Sequence, residues 1–274
     1  MKTLSVLFAI FLLTACSTAP KKSATEKMSS ENFFAGKKGC FLLFNMKTGS
    51  YDKVIGDEVC KERYPACSTF KVPLAVMSFD AKVLKDENEV LQWDGHKDIR
   101  PEVNQDHDAK TWMRDSVVWF SQRLTPKMGK KKFQKYLRDF NYGNQDISAG
   151  IKTAWLKPPQ QNGLQITAYE QVEFMKKLWT EQLPVSQRSM QRAREITYLE
   201  TSPQGFKLHG KTGSNFYDQQ RKINFGWFIA HLQKDGQEYI AVTNLSDLAP
   251  SEEGYGGPRA KRITKQILAS EGLW

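Results

Sequence analysis

Pro65-Ala66-Cys67-Ser68-Thr69-Phe70-Lys71-Val72-Pro73 is the stretch around which the chain is organised. Ser68 and Lys71 stand three positions apart, which on a helix puts them on one face. A serine hydroxyl is a poor nucleophile until a base takes its proton, and a lysine amine is a base only when neutral. Phe70, Val72 and Pro73 supply apolar surroundings that disfavour the charged amine and lower its pKa. Pro73 lacks an N–H and fits only the first turn, so the helix begins near Ser68. The free amides at that start point toward the serine and suit a developing oxyanion. Cys67 is the rival nucleophile, but it lacks the phase with Lys71 that Ser68 has. Leu74, Ala75, Val76, Met77 and Phe79 follow, and a helix with so little polar surface belongs at the centre of the fold.

Working outward, Gly39–Asn45 and 52–55 read as strand, turn, strand. Cys40 and Cys60 flank this hairpin and are placed to meet as a disulfide, leaving Cys67 a small buried hydrophobe. On the other side, 86–107 is polar and irregular. Residues 112–124 then read as one helix containing Ser116-Val117-Val118. A helix over 133–140 stops at Asn141-Tyr142-Gly143-Asn144, where Gly143 predicts a turn. The loop 145–163 carries Trp155-Leu156 as an apolar island. Thr167-Ala168-Tyr169-Glu170 is a capping box opening a helix through Phe174 and Leu178, and 186–196 continues helical. Strands are expected over 206–213, 224–232 and 238–245, with Asp235-Gly236 in the turn between the last two. A helix over 259–268 closes the chain. Strands at both ends with helices between predict an α+β fold: a central antiparallel sheet with flanking terminal helices and an inserted, mostly helical subdomain. The division is one catalytic domain over 39–274, its α/β part about 39–67 and 197–274 and its helical part about 68–196, with the site at their junction.

Residues 1–15 are read as a leader rather than as structure: Lys2, then an apolar run from Leu4 to Leu13 too short to span a bilayer. Leu13-Thr14-Ala15-Cys16 resembles a bacterial lipobox, which makes Cys16 the lipidated first residue and 16–38 a flexible tether. The expectation is an exported, periplasmic protein held to a membrane through the lipid on Cys16, and Ser17 gives no inner-membrane retention signal. The 40 basic and 30 acidic residues leave a net charge of +10. Basic residues are scattered apart from Lys130-Lys131-Lys132, which reads as a solvated helix start, so nucleic acid is excluded and a general attraction for anionic ligands is inferred. His96, His107, His209 and His231 are dispersed, so no metal site is expected. With no long exposed apolar strand or heptad, a monomer is expected.

Lys211-Thr212-Gly213 lies at the end of a strand and suits a substrate carboxylate and a ligand laid along the strand edge. Ser-x-x-Lys and Lys-Thr-Gly, about 140 residues apart, recur in penicillin-binding proteins and serine β-lactamases. With Ser68-Thr69-Phe70-Lys71, Ser116-Val117-Val118, Tyr142-Gly143-Asn144, Trp155-Leu156, Lys211-Thr212-Gly213 and Gly226-Trp227 in order, the mature chain resembles the class D (oxacillinase-type) β-lactamases. The resemblance implies hydrolysis of a small-molecule β-lactam through a Ser68 acyl-enzyme. It implies that Lys71 is carboxylated by carbon dioxide, with no other cofactor, in a pocket lined by Phe70, Val118 and Trp155. It further implies that Ser116 relays a proton to the β-lactam nitrogen while Lys211 keeps the local potential positive. Thr212, Gly213, Ser214, Tyr142 and Arg259 would bind substrate, Thr212 and Arg259 through its carboxylate. The oxyanion hole would combine the Ser68 amide with that of Ser214 or Asn215. Ala154 stands before Trp155 where an aromatic is expected, and Asp115 before Ser116 is placed on a solvated face. The alternative function is a β-lactam sensor or transpeptidase-like penicillin-binding protein that acylates on Ser68 without turnover; the sensors' upstream transmembrane helices are not expected here.

Overall fold

The computed structural model of the chain describes residues 33–218, 220 and 222–274. The leader, Cys16 and most of the tether lie outside the described residues. In chain order the elements are β1 (Lys37–Asn45), β2 (Ser50–Ile55), α1 (Asp57–Cys60), β3 (Tyr64–Pro65), a 3₁₀ turn Cys67–Phe70 and α2 (Lys71–Asp80). Next come α3 (Ala109–Arg114), α4 (Val118–Met128), α5 (Lys130–Phe140), a 3₁₀ turn Ala154–Leu156, β4 (Gln165–Ile166), α6 (Ala168–Trp179) and α7 (Gln187–Glu195). The chain ends with β5 (Tyr198–Thr201), β6 (Lys207–Asp218), β7 (Ile223–Lys234), β8 (Gln237–Asp247) and α8 (Gly256–Ser270).

The main sheet is antiparallel in the order β2-β1-β8-β7-β6-β5. Both of its faces are covered, which is why β1 and β7 read as continuous apolar runs instead of alternating ones. Leu42, Phe44, Phe225, Trp227 and Ile229 pack toward the helical region around α2. Phe41, Leu43, Phe228, Ala230 and Leu232 pack against Ile263, Ile267 and Leu268 of α8. Two cores on opposite faces of one sheet follow from the period-2 alternation of strand side chains. The helical region between β3 and β5 sits against the first face, so its junction with β6 forms a cleft.

Several expectations move. The tether does not reach residue 38: Phe33 and Phe34 are buried in the outer core and β1 begins at Lys37. The expected helix over 112–124 is two helices, α3 and α4, because Ser116 adopts a left-handed backbone with φ 57°. β6 runs five residues past Gly213, so Lys211-Thr212-Gly213 lies within the strand and not at its end. β5 was not expected; its exposed edge position gives it little apolar pattern. α8 flanks the outer sheet face, as expected. The capping box at Thr167 and Glu170 closes both of its hydrogen bonds, and Asp235-Gly236 turns with φ of 48° and 76° as a tight hairpin requires. Cys40 and Cys60 are disulfide-bonded, tying β1 to α1. No helix among the described residues is long and apolar enough to cross a membrane.

Candidate active site

The Ser68 turn is held from several sides. Thr69 donates from its hydroxyl to the Ala66 carbonyl and accepts from Gln171 of α6 at 2.9 Å. Trp227 of β7 donates to the Pro65 carbonyl at 2.9 Å. Cys67 takes a left-handed backbone with φ 49° immediately before the nucleophile. Such a conformation in a non-glycine residue costs on the order of 1–3 kcal/mol and persists only where surrounding contacts over-determine it. Burial pushes the Cys67 thiol well above its ordinary range, so it holds its proton and is no nucleophile.

Lys71 heads α2 with Nζ 3.1 Å from Ser68 Oγ. Only 1 % of its surface is exposed. Burial, and then the nearby charges of Lys211 and Arg100, hold its amine well below the usual lysine range. Phe70, the residue before Lys71, stacks on Trp155 at 5.2 Å and meets Phe133 and Tyr142 edge-on. Lys211 of β6 is also buried and donates to the Thr212 carbonyl at 2.9 Å. Burial, aided by the charge of Arg100, brings it down to about 7.

The cleft, of about 320 Å³, is lined by Ser68, Asp98, Arg100, Ser116, Val118, Thr212, Ser214, Tyr255 and Pro258. It therefore gathers Ser68 of the 3₁₀ turn, Ser116 and Val118 at the start of α4, and Thr212 and Ser214 of β6. Gly213 lets β6 pass close to the nucleophile: a Cβ there would stand a tight 3.3 Å from the Ser68 amide nitrogen and 3.2 Å from Cys67 Cβ. The choice between Ser214 and Asn215 as second amide donor follows from strand alternation. Gly210 donates to the Thr197 carbonyl, on the side of β6 away from β7. Amides of alternate residues share a direction, so Ser214 offers its N–H to that open side and Asn215 turns toward β7. The Asn215 side chain is spent on the Leu156 carbonyl at 2.8 Å.

Two expected binding residues are not at the cleft. Tyr142 is fully buried, packed on Phe70 and Phe174, with its hydroxyl directed to Gln171 at 3.5 Å. It supports the Ser68 turn from behind through Gln171 and Thr69. Arg259 is 1 % exposed, and its guanidinium makes two 2.8 Å bonds to the Asp247 carboxylate. This bidentate pair links β8 to α8 and commits both terminal nitrogens of the guanidinium to Asp247. Replacing Arg259 by methionine leaves Asp247 buried and unpaired, and is expected to destabilise the protein by about 3–5 kcal/mol. Adding Asp247→Leu should recover most of that loss. The KM for a β-lactam should stay unchanged in both variants, whereas a substrate-binding arginine would raise it. Asp115 pairs with Arg114 and is held below the usual carboxylate range by it, on the solvent side as expected.

Asp98, Arg100, Tyr255 and Pro258 were missed. The loop over 86–107 has no apolar period to place it, and Tyr255 and Pro258 enter through the close seat of α8 against β6, where the Gly257 amide donates to Ser214 Oγ at 2.9 Å.

Comparison with known proteins gives the family. The family described as the penicillin binding protein transpeptidase domain matches residues 20–269. The β-lactamase OXA-1 of Escherichia coli is 35% identical over 89% of this chain and 90% of its own. The solved class D β-lactamase of Bacillus subtilis is 32% identical, with TM-score 0.79 over 90% of this chain and 97% of that one. The C-terminal domain of the Bacillus licheniformis BlaR penicillin-receptor is 26% identical, with TM-score 0.82 over 89% and 95%.

Proposed function

The chain belongs to the class D β-lactamases, and on that premise we propose that it hydrolyses penicillin-type antibiotics through an acyl-enzyme on Ser68, with carboxylated Lys71 as general base, and so confers resistance to them. The observation that carries this reading is the buried Lys71 amine, held well below the usual lysine range by burial, 3.1 Å from Ser68 Oγ. A neutral amine in an apolar pocket is the form that adds carbon dioxide, and Val118, Phe70 and Trp155 are the walls that would hold the product. Bound there, the carbamate would supply a carboxylate-like oxygen base beside Ser68.

Lys71 takes the Ser68 proton as Oγ attacks the β-lactam carbonyl. The amides of Ser68 and Ser214 receive the oxygen that becomes negative. Ser116 passes a proton to the ring nitrogen as the C–N bond breaks. Thr212 and Ser214 offer hydroxyls to the substrate carboxylate, with the charges of Lys211 and Arg100 nearby. A water, deprotonated on the Lys71 side, then releases the product.

The rate depends on pH in both directions. As pH falls, Lys71 becomes protonated and the base is lost. As pH rises through about 7, Lys211 loses its charge and the positive potential weakens. The charged groups facing Lys71 are Lys211, Arg100 and Asp98.

The likeness to the penicillin-receptor domain supports a second reading, in which Ser68 acylates and stays acylated. Turnover of benzylpenicillin by the purified protein, followed by ultraviolet absorbance with and without bicarbonate, separates the two. Many turnovers raised by bicarbonate support the hydrolase. A burst of one equivalent with a stable Ser68 adduct overturns it in favour of the receptor-like reading.

The lipobox-like Leu13-Thr14-Ala15-Cys16 supports export and lipid anchoring. Cells fed labelled palmitate are expected to label this protein and not its Cys16→Ala variant. Equal labelling would exclude anchoring at Cys16.

A further inference from the structure

Three residues of the break between α3 and α4, Asp115, Ser116 and Val117, carry one of the site's serines in a left-handed conformation. A broken helix leaves backbone carbonyls without intrahelical partners. Arg100 supplies those partners from outside: Nη1 donates to the Asp115 carbonyl at 3.0 Å and Nη2 to the Ser116 carbonyl at 3.3 Å. We propose that Arg100 is a positioning residue for Ser116, its guanidinium fork fixing the turn that aims the Ser116 hydroxyl into the cleft.

The loop that delivers Arg100 is built for that reach. Asp98 accepts from the Arg100 amide at 2.9 Å and faces its Nε at 3.6 Å. The Asn104 side chain bonds Asp98 at both its amide and its carbonyl, at 2.8 and 3.2 Å. Trp119 of α4 donates to the Val103 carbonyl at 2.9 Å, so the loop is latched to the helix that Ser116 precedes. A lysine would keep the charge but cannot bond two carbonyls with one planar fork.

This inference rests on the reading of Ser116 as the proton relay of ring opening. Its test is a double-mutant cycle on the benzylpenicillin acylation rate, measured by single-turnover kinetics in Arg100→Met, Ser116→Ala and the pair. Arg100→Met is expected to slow acylation on the order of 10²-fold, as a misplaced group does, and to weaken substrate binding as well, since its charge lies in the cleft lining. In the Ser116→Ala background the same change should cost less than about threefold, because nothing remains to be positioned. Arg100→Lys should recover only a small part of the rate. Independent, multiplying losses would overturn the proposal, and so would a wild-type rate in Arg100→Met. A crystal structure of Arg100→Met reads the geometry without chemistry. Ser116 is expected to leave its left-handed conformation, and retention of the wild-type turn would overturn the proposal even in a protein that does not acylate. Failure to acylate in the wild-type protein would instead overturn the functional reading.

Discussion

Lys71→Ala is expected to fold normally and to turn over benzylpenicillin slower by several orders of magnitude. A positioned general base contributes on the order of 10²–10⁴ per step, and Lys71 is the base proposed for both acylation and deacylation. The amine is 3.1 Å from Ser68 Oγ and buried. Any acyl-enzyme formed slowly in this variant should then persist, and mass spectrometry should find it on Ser68. Near-normal turnover would sink the mechanism. Stability should move the other way. Burial holds the folded-state pKa of Lys71 well below its ordinary value, so between that pKa and about 10.4 the unfolded chain binds a proton that the folded chain does not. The wild-type protein therefore loses stability as pH falls through this window. Lys71→Met, which keeps the volume and removes the titration, should be the more stable protein near neutrality, with the difference shrinking toward about pH 10.4. A variant that loses both activity and stability at neutral pH would show that Lys71 is held for packing and not for chemistry.

What could be read from the sequence divides along physical lines. Ser68, Lys71, Ser116 and Lys211-Thr212-Gly213 were legible because short motifs encode local geometry: one helix face for Ser68 and Lys71, one strand for the lysine, threonine and glycine. The capping box at Thr167 and the Asp235-Gly236 turn were legible for the same reason. Arg259 and Tyr142 were not, because a side chain's partner across the fold leaves no local trace. Nothing near Arg259 in sequence announces that Asp247 of β8 will take both arms of its guanidinium. The phenol of Tyr142 is likewise turned inward by Phe70, Phe174 and Gln171, which come from two other helical segments. Arg100 was illegible for a related reason: its loop is irregular, and its role exists only through the helix break at Ser116. That break was itself hidden, since Trp112, Val117, Trp119 and Phe120 keep enough apolar period to read as one helix. The hydrophobic pattern reports burial, and both halves are buried, but it is silent on one residue of reversed backbone between them.

That one residue yields a contrast with the lysine variant. Ser116→Ala is expected to lower kcat/KM for benzylpenicillin on the order of 10²–10⁴, the range for a lost proton relay, while leaving deacylation close to wild type. The reason is the bond that breaks in each step. Acylation expels the ring nitrogen, which needs a proton, and Ser116 lines the cleft with Ser68. Deacylation expels Ser68 Oγ, which Lys71 reprotonates without Ser116. Acyl-enzyme should therefore vanish from the steady state of Ser116→Ala, whereas it accumulates in Lys71→Ala. Stopped-flow kinetics with rapid-quench mass spectrometry distinguishes the two, and an equal slowing of both steps in Ser116→Ala would sink the assignment. Ser116→Gly supplies the control for backbone strain. Its φ of 57° costs a serine or an alanine but not a glycine, so the glycine variant should be at least as stable as alanine at this position and just as slow to acylate. Activity that followed stability through this pair, instead of following the hydroxyl, would assign the loss to the turn and not to the proton.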